Sequence, residues 1–232
     1  MTAPVDYTAG ANLAVIDGFQ IPVINLGMLE LPDDKHGCSF ILTGSTRSGK
    51  TTILNYLFKK HFTDYISLLM SNSLQNDSYK LLKKHCITSD FYHPEILKEL
   101  YKINHETKNH YKFFVVLDDI PDKRSDVEIK RMLTIYRNSR ISCIICAQGL
   151  TMMDRTARSN INFVLLGRMN SSQEVERNVK EYLTAYFPTS MRMADKIALY
   201  KKLTDDYWWI GIDNINGIIF RTKLLPNQII DT

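Results

Sequence analysis

Short apolar runs, several of them rich in β-branched residues, alternate along this chain with segments of helical periodicity. Strands that alternate with helical patterns are typical of βαβ units, in which a crossover helix joins two parallel strands. The pattern therefore predicts an α/β fold with a mostly parallel sheet flanked by helices. The predicted strands are Ser39 to Thr43, Tyr65 to Met70, Phe113 to Leu117, Ser142 to Ala147 and Phe163 to Leu166.

Helical patterns fill the intervals between these strands, and two local signals support them. Pro94 suits the first turn of a helix, and Ser171 with Glu174 forms a capping-box pattern that begins another. The predicted helices are one directly after Gly49, a helix or pair of helices from about Gln75 to Asn109, one over Asp126 to Arg137, a short one near Met152 to Arg158, the one that begins at Ser171, and one over Met191 to Leu203.

The two ends of the chain differ from this alternating middle. Apolar residues at 207–212 and 218–224 flank a turn sequence at 214–217, which predicts a C-terminal β-hairpin. The segment up to Glu30 has no clear period and is predicted as short strands or an extended arm. No linker-like segment divides the 232 residues, so we expect one domain, with the arm at 1–37, the core at 38–168, and C-terminal helices and hairpin at 169–232.

Composition and charge indicate where the protein is located but do not indicate a specific function. The chain has 29 Lys and Arg against 25 Asp and Glu, a formal net charge of +4, which permits nucleic-acid contact and does not require it. No apolar run approaches the length of a membrane span, and the N-terminus lacks the charged-then-apolar order of a secretory signal. These features predict an intracellular protein that is not secreted.

The four cysteines, at positions 38, 86, 143 and 146, lie in predicted apolar strands or beside a helix end. Cys143 and Cys146 form a C-x-x-C pattern, but Ile144 and Ile145 between them indicate a buried strand. Side chains three residues apart on a strand point to opposite faces of the sheet. The pattern therefore favours core packing over redox or zinc chemistry, in a reducing compartment.

The loop between the first predicted strand and its helix carries the most specific motif in the chain. Gly44, Gly49, Lys50 and Thr51 fit the pattern G-x-x-x-x-G-K-[ST], in the strand–loop–helix context that this motif requires. Loop N–H groups and the positive end of the helix dipole bind phosphate, Lys50 would contact the β- and γ-phosphates, and the Thr51 hydroxyl would ligate Mg²⁺. The predicted nucleotide-binding residues are Gly44, Ser45, Thr46, Arg47, Ser48, Gly49, Lys50, Thr51 and Thr52.

A second motif is the apolar strand from Phe113 that ends in Asp118 and Asp119. A carboxylate at the tip of a strand beside the P-loop can hold Mg²⁺ through its water shell, and we assign this role to Asp118. Asp119 would point differently, toward a water in line with the γ-phosphate, which it can orient or deprotonate. An Asp-Asp turn also ends many strands, so the motif gains its weight from the complete P-loop upstream.

Two further groups are candidates from their positions at strand ends. Gln148 directly follows the Ser142 to Ala147 run, where its amide can hydrogen-bond the attacking water or the γ-phosphate, although a loop glutamine needs no such role. Asn72 and Ser73 follow the second predicted strand, and each of them is likewise either a polar group near the γ-phosphate or an ordinary loop residue. Arg137 and Arg140 are candidates for an arginine finger that acts on a neighbouring subunit's nucleotide, or for solvated helix-end charges.

The order of these motifs resembles the FtsK/HerA superfamily of DNA-pumping ATPases. The short layout and the segment from Tyr136 to Gln148 most resemble the genome-packaging ATPases of poxviruses, giant DNA viruses and their virophages. The resemblance covers roughly Phe40 to Arg168. It departs from the family pattern at Asp119, where many relatives have Glu, and at Asn138 after Arg137, where relatives often have His.

The resemblance implies a RecA-like P-loop NTPase sheet, in which the Gln148 strand lies between the P-loop strand and the Asp118 strand. It implies ATP and Mg²⁺ as ligands, with Lys50 and Asp119 catalytic, Gln148 a sensor, Thr51 and Asp118 at the metal, and Arg137 or Arg140 a finger. It also implies a homo-oligomeric ring of five or six subunits that threads double-stranded DNA into a preformed capsid and meets a capsid or portal-vertex protein. The expected location is a cytoplasmic assembly site in the host, with presence in the virion as an alternative.

A pump that grips the DNA backbone transiently needs only a few cations in its pore. The candidates are Lys123, Arg124, Lys130, Arg131, Arg155 and Arg158. For any single one of them, solvated surface charge is the better explanation.

Three other classes of function use a P-loop, and each makes its own demand on the sequence. A GTPase would need the guanine-reading N-K-x-D tetrapeptide, which does not occur in the chain. A nucleoside or nucleotide kinase would use arginines in a lid, for which Arg155, Arg158 and Arg168 are available, and it stays the main alternative. A non-hydrolysing scaffold would not need the intact Lys50 and Asp119.

Overall fold

The computed structural model describes residues 10–32, 35–119, 126–149, 158–226 and 228. Its centre is a ten-stranded sheet with the strand order β1-β2-β10-β9-β8-β3-β7-β6-β4-β5. The strands are β1 (Asn12–Ile16), β2 (Phe19–Val23), β3 (Ser39–Thr43), β4 (Ile66–Ser71), β5 (Cys86–Ser89), β6 (Phe113–Asp118), β7 (Ile141–Ala147), β8 (Phe163–Leu166), β9 (Trp209–Asp213) and β10 (Ile218–Thr222).

The run of neighbours β8-β3-β7-β6-β4-β5 is parallel throughout. The four central strands are buried on both faces, which explains why they are continuous apolar runs and do not alternate. Strand β7 lies between β3 and β6, as the family resemblance implied. The predicted α/β fold with a mostly parallel sheet is therefore confirmed.

Helices cover both faces of the sheet. Helices α1 (Lys50–His61) and α2 (Lys80–His85) pack on one face with the apolar cluster that includes Phe40 and Phe114. The opposite face holds the cluster around Val115 and carries α3 (Pro94–Glu106), α4 (Val127–Thr134), α5 (Ser172–Asn178) and α6 (Met193–Leu203). Each of these helices either connects two strands of the sheet or packs on one of its faces.

Local signals for helix ends agree with the structure. Pro94 is the first residue of α3, and the Ser171 hydroxyl accepts a hydrogen bond from the Glu174 N–H at the start of α5. Helix α5 continues as a π-helical segment over Val179–Leu183. The helix predicted over Asp126 to Arg137 is shorter, because α4 ends at Thr134 and a 3₁₀ turn follows at Tyr136–Ser139.

The segment predicted as one or two helices from Gln75 to Asn109 contains a strand that the sequence pattern did not indicate. Residues Cys86–Ser89 form β5, which pairs in parallel with β4 and is an edge strand of the sheet. The four residues are too few to show a period, and their pairing with β4 is a tertiary contact. The predicted short helix near Met152 to Arg158 lies almost entirely outside the described residues.

Both ends of the chain extend the same sheet. The predicted C-terminal hairpin is present as β9 and β10, and β9 runs antiparallel to β8. The N-terminal segment forms the hairpin β1–β2, which joins β10 through the Arg221 and Val23 pair. Of the two expectations for this segment, short strands are therefore observed.

The cysteines pack as predicted. All four are free and buried, and Cys143 and Cys146 belong to the apolar clusters on opposite faces of the sheet. Among the described residues, no helix has both the length and the apolar character needed to cross a bilayer.

Candidate active site

The predicted site residues meet at one edge of the sheet because parallel strands end there together. Thr43 at the end of β3 is paired with Ala147 at the end of β7, and Cys146 of β7 is paired with Asp118 at the end of β6. The loops that follow these strands therefore start side by side. They carry the P-loop, Asp119 and Gln148.

The P-loop adopts the conformation that its glycines allow. Gly49 has φ +93° and caps the N-terminus of α1, a left-handed backbone that favours glycine. A Cβ added to Gly44 would lie 2.4 Å from Ser48 Oγ, so this position also requires a residue without a side chain. A tight loop of this kind leaves the N-terminus of α1 open to bind phosphate.

Lys50 lies at the mouth of this loop. Its Nζ donates hydrogen bonds to the carbonyl oxygens of Gly44, at 2.6 Å, and Ser45, at 3.1 Å. The P-loop is also joined to the segment after the neighbouring strand β8, because the Ser45 N–H donates to the Arg168 carbonyl at 2.9 Å. These contacts hold a fixed positive charge over the entrance of α1, where a phosphate chain would bind.

Asp118 is almost completely buried, with 3% of its surface exposed. Its Oδ2 accepts a 2.7 Å hydrogen bond from the hydroxyl of Tyr79. Burial raises the pKa of the Asp118 carboxyl above its ordinary value, and the charge of Asp119 adds to this, whereas the Tyr79 hydrogen bond and the Lys50 charge oppose it. The side chain is thus a desolvated carboxylate that faces the Lys50 ammonium.

Asp119 lies directly after β6 with φ +53°, and its carboxylate has hydrogen-bond partners different from those of Asp118. Its Oδ2 accepts a 2.5 Å hydrogen bond from Ser73 Oγ, and its Oδ1 accepts one from Gln148 Nε2 at 3.5 Å. Ser73 and Gln148, each of which had an alternative interpretation as an ordinary loop residue, therefore converge on one carboxylate. Asn72 instead lines a separate surface cavity beside β5.

The residues enclose a single open cavity of about 540 Å³. It is lined by Thr46, Arg47, Gly49, Lys50, Thr51, Thr52, Ser73, Asn76, Ser78, Tyr79, Asp118, Asp119, Gln148 and Tyr207. The described residues hold no cluster of three or more His, Cys, Asp or Glu side chains that could bind a metal alone. Thr51 and Asp118 share the cavity, and a hydroxyl with one carboxylate fits Mg²⁺, which keeps several waters and takes its other ligands from phosphates.

Sequence reasoning missed Tyr79, Asn76 and Ser78. They belong to a 3₁₀ turn at Asp77–Tyr79 after β4, within the segment predicted as helix. The Asn76 side chain caps this turn by accepting from the Ser78 N–H at 3.1 Å. An Asn-x-Ser capping pattern was the one available signal for the turn, but nothing in it indicates contact with Asp118.

Arg137 and Arg140 do not line this cavity, because they precede β7 and lie at the opposite edge of the sheet from the P-loop. Arg137 donates through Nη1 to the Asn160 carbonyl at 3.4 Å. Arg140 donates through Nη1 to the carbonyls of Asn109, at 3.0 Å, and His110, at 3.2 Å. An arginine finger at either position therefore stays a prediction about a neighbouring subunit.

The basic residues considered for DNA contact are only partly described. Lys123, Arg124 and Arg155 lie outside the described residues. Lys130 and Arg131 are exposed on α4, where Arg131 pairs with Glu128 at 3.1 Å. Arg158 pairs with Glu181 at 2.9 Å.

Comparison with solved structures shows the same fold in viral packaging proteins. The chain superposes on "B204, the DNA-packaging ATPase from Sulfolobus Turreted Icosahedral Virus" with a TM-score of 0.60 and 14% identity, over 82% of this chain and 99% of that one. The B204 protein of Sulfolobus turreted icosahedral virus 2 with ATP-gammaS gives 0.55 and 13%, over 81% and 97%. EssC from Geobacillus thermodenitrificans gives 0.56 and 12%, over 85% of this chain and 42% of that one.

These superpositions establish the P-loop NTPase fold, and at such low sequence identity they do not establish the function. Comparison with curated protein sequences gives no match. The family model of the Poxvirus A32 protein matches residues 34–185, more than half of the chain and including the P-loop, the Asp118 strand and Gln148. The resemblance drawn from the motifs is thereby confirmed, and the chain belongs to the poxvirus A32 protein family.

Proposed function

We propose that this protein is an ATP-hydrolysing motor that moves double-stranded viral DNA into a preformed capsid. The observation that carries the proposal is the convergence of Lys50, Thr51, Asp118, Asp119 and Gln148 on one cavity. A fold shared with proteins described as a DNA-packaging ATPase and a genome packaging NTPase, one of them solved with ATP-gammaS, supports it. Membership in the A32 family supports the viral setting.

The residues divide the work of hydrolysis between two sides of the cavity. On one side, the P-loop backbone and Lys50 would bind the phosphates and neutralise their charge. On the other, Asp119 would orient an attacking water and accept its proton. Ser73 and Gln148 hold the Asp119 carboxylate from two directions, so they would position this base.

Thr51 and Asp118 would hold Mg²⁺ in the same cavity. When bound, the ion neutralises charge on the phosphate oxygens. The desolvation of Asp118 suits this role, because a buried carboxylate gains more from a cation than an exposed one does.

We propose further that the active form is a ring of five or six subunits, in which Arg137 or Arg140 reaches a neighbour's nucleotide and basic side chains face the DNA. The modest net charge of +4 supports transient, sequence-independent contact with phosphates. A capsid or portal-vertex protein would anchor the ring. The site of action would be the cytoplasmic assembly site in the host.

The experiment that tests this proposal is steady-state ATP hydrolysis with and without linear double-stranded DNA, over a range of salt concentrations. Stimulation by DNA that fades as salt rises is the expected result, because phosphate contacts release counterions. The Lys50→Ala variant is the control for contaminating ATPases. Turnover that ignores DNA at every salt concentration would contradict the proposal.

The main alternative, a nucleoside or nucleotide kinase, predicts turnover only when an acceptor nucleoside or nucleotide is added. Such an enzyme needs arginines that are free to close over two bound nucleotides. Arg158, one of the three considered for such a lid, is instead in an ion pair with Glu181. The same assay with added acceptors distinguishes the two functions.

A further inference from the structure

A second, smaller cleft lies beside the P-loop and continues the phosphate cavity. It measures about 210 Å³ and is lined by Ser48, Gly49, Thr52, Ile53, Tyr207, Trp209, Lys223 and Leu224. Gly49, Thr52 and Tyr207 also line the phosphate cavity. Because sites for complete small ligands occupy about 300–1,000 Å³, this cleft suits one part of a ligand whose remainder lies next door.

The cleft differs in chemistry from the cavity that it joins. Its walls come from Ile53 of α1, from Trp209 of β9 and from Leu224 after β10, all of them buried apolar side chains. The phosphate cavity is instead lined by hydroxyls, carboxylates and Lys50. A ligand that spans both must be anionic at one end and flat and apolar at the other, which describes a nucleoside triphosphate.

Tyr207 stands between the two compartments in an unusual conformation. Its side chain is 60% exposed, and its Cδ1 lies 3.7 Å from where a Cβ on Gly49 would be. Its backbone has φ +59° and follows Asp206 at φ +51°. A bulky residue in the left-handed region is strained, and such strain is retained where the surrounding structure or a function demands that side chain.

The turn that carries Tyr207 is attached to the opposite side of the cleft. Lys223 donates a hydrogen bond to Asp206 through Nζ at 2.7 Å, which links the turn before β9 to the residue after β10. Tyr207 thus belongs to a turn that is anchored to a lining residue of the cleft, and it lies beside Gly49 at the start of α1. A base that enters from the phosphate side would pass beside this ring, because Tyr207 lines both compartments.

We propose that this cleft binds the nucleobase of the nucleoside triphosphate, with Tyr207 as the stacking residue. This assignment rests on the proposed function, because it requires that the P-loop binds the phosphates of the same molecule. No amide or carboxylate side chain lines the described part of the cleft, and Lys223, the one charged side chain among these lining residues, already donates its Nζ to Asp206 at 2.7 Å. The site therefore accepts different bases by stacking, which every base can provide.

The test measures equilibrium binding of ATPγS and of inorganic tripolyphosphate to the full-length protein by titration calorimetry. Tyr207→Asn is the informative variant, because Asn tolerates the left-handed backbone and removes the ring. We expect Tyr207→Asn to weaken ATPγS binding about tenfold and to leave tripolyphosphate binding unchanged. Tyr207→Phe keeps the ring and should retain the affinity of the wild type for both ligands.

Tyr111→Asn is the matched control, since it removes a partly exposed ring at the amino end of β6, far from the P-loop. Unchanged ATPγS affinity in Tyr207→Asn, or equal weakening of both ligands, would overturn the assignment. If the wild type binds ATPγS and tripolyphosphate equally, the cleft does not contribute to binding the base, and the proposed function is unaffected. A wild type that binds neither would overturn both.

Base tolerance is tested separately with GTPγS. We expect ATPγS and GTPγS to bind the wild type with affinities within about threefold of each other, because stacking discriminates weakly. A preference of about 100-fold or more would show hydrogen-bonded reading of the base edge and would overturn the stacking model of this site.

Discussion

The Tyr79 hydroxyl donates a 2.7 Å hydrogen bond to Oδ2 of the buried Asp118, the carboxylate at the end of β6. This bond joins the turn after β4 to the predicted magnesium ligand. It also stabilises the charged form of a carboxylate that burial disfavours. Tyr79 therefore sets how far the pH can fall before Asp118 is protonated.

We predict that Tyr79→Phe shifts the acidic limb of the ATPase pH profile to higher pH. The variant loses a hydrogen bond that lowers the pKa of Asp118, so that pKa rises further above its ordinary value. The carboxylate is the form that holds a cation, and activity is lost as the pH falls through its pKa. The measurement is kcat/KM against pH, which reports the pKa values of the free enzyme. Tyr182→Phe, which removes a buried hydroxyl that has no partner among the described residues, should leave the profile in place.

Asp118→Asn should stabilise the fold while it abolishes hydrolysis. Because the folded protein raises the pKa of this carboxyl, its ionised form costs stability above the folded pKa, and the cost disappears below the unfolded pKa. We expect a gain of about 1 kcal/mol in the free energy of unfolding near neutral pH, about 3 °C in Tm. The gain should shrink as the pH falls. A variant that is less stable than the wild type at pH 7 would contradict this account.

Lys50→Ala and Asp119→Asn should separate binding from chemistry. Lys50 is the cation at the mouth of the P-loop, so its loss should abolish detectable nucleotide binding and turnover. The Asp119 carboxylate accepts its hydrogen bonds from Ser73 and Gln148, which are outside the P-loop. Its amide variant should therefore retain nucleotide affinity and lose about 10²- to 10⁴-fold in kcat. Calorimetric titration with ATPγS together with steady-state rates provides both readouts. Equal loss of nucleotide binding in the two variants would refute the division of roles.

Ser73→Ala should lower kcat about tenfold without changing nucleotide affinity, because Ser73 positions the Asp119 carboxylate and does not reach the P-loop. A positioning role also predicts that Ser73→Ala has little further effect in an Asp119→Asn background. Ser89→Ala on the edge strand β5 is the control. If Ser73→Ala and Asp119→Asn act additively, the two residues work independently and the positioning role is wrong.

Arg140 should contribute to the stability of its own chain. Its guanidinium donates to the carbonyls of Asn109 and His110, and its backbone has φ +57°. We expect Arg140→Ala to reduce the free energy of unfolding by about 2 kcal/mol through its lost charged hydrogen bonds, because Ala keeps the Cβ that is strained at this φ. Arg140→Gly should recover about half of that loss in urea unfolding, because glycine relieves the strain. Equal stability of the Ala and Gly variants would exclude the strain contribution.

The motif residues were predictable from the sequence because their chemistry depends on short spacing. The P-loop at 44–51 directly follows the end of β3 and includes the start of α1, so its conformation is set locally. The central strands were equally clear, since burial on both faces makes each of them a continuous apolar run. The strand period predicted different directions for Asp118 and Asp119, but Asp119 lies after the end of β6 with φ +53°, where that period no longer applies.

The partners of those residues were decided only by the tertiary structure. Strand β7 inserts between β3 and β6, which brings Gln148 to Asp119 although 29 residues separate them along the chain. Strand β5 was missed because four residues carry no period, and its pairing with β4 is what defines it. Tyr79 and Tyr207 reach the site from a turn and from a left-handed backbone, neither of which leaves a periodic signal. Hydrophobic period and local motifs record which residues are buried or bind phosphate, whereas the order of strands in the sheet determines which loops lie side by side.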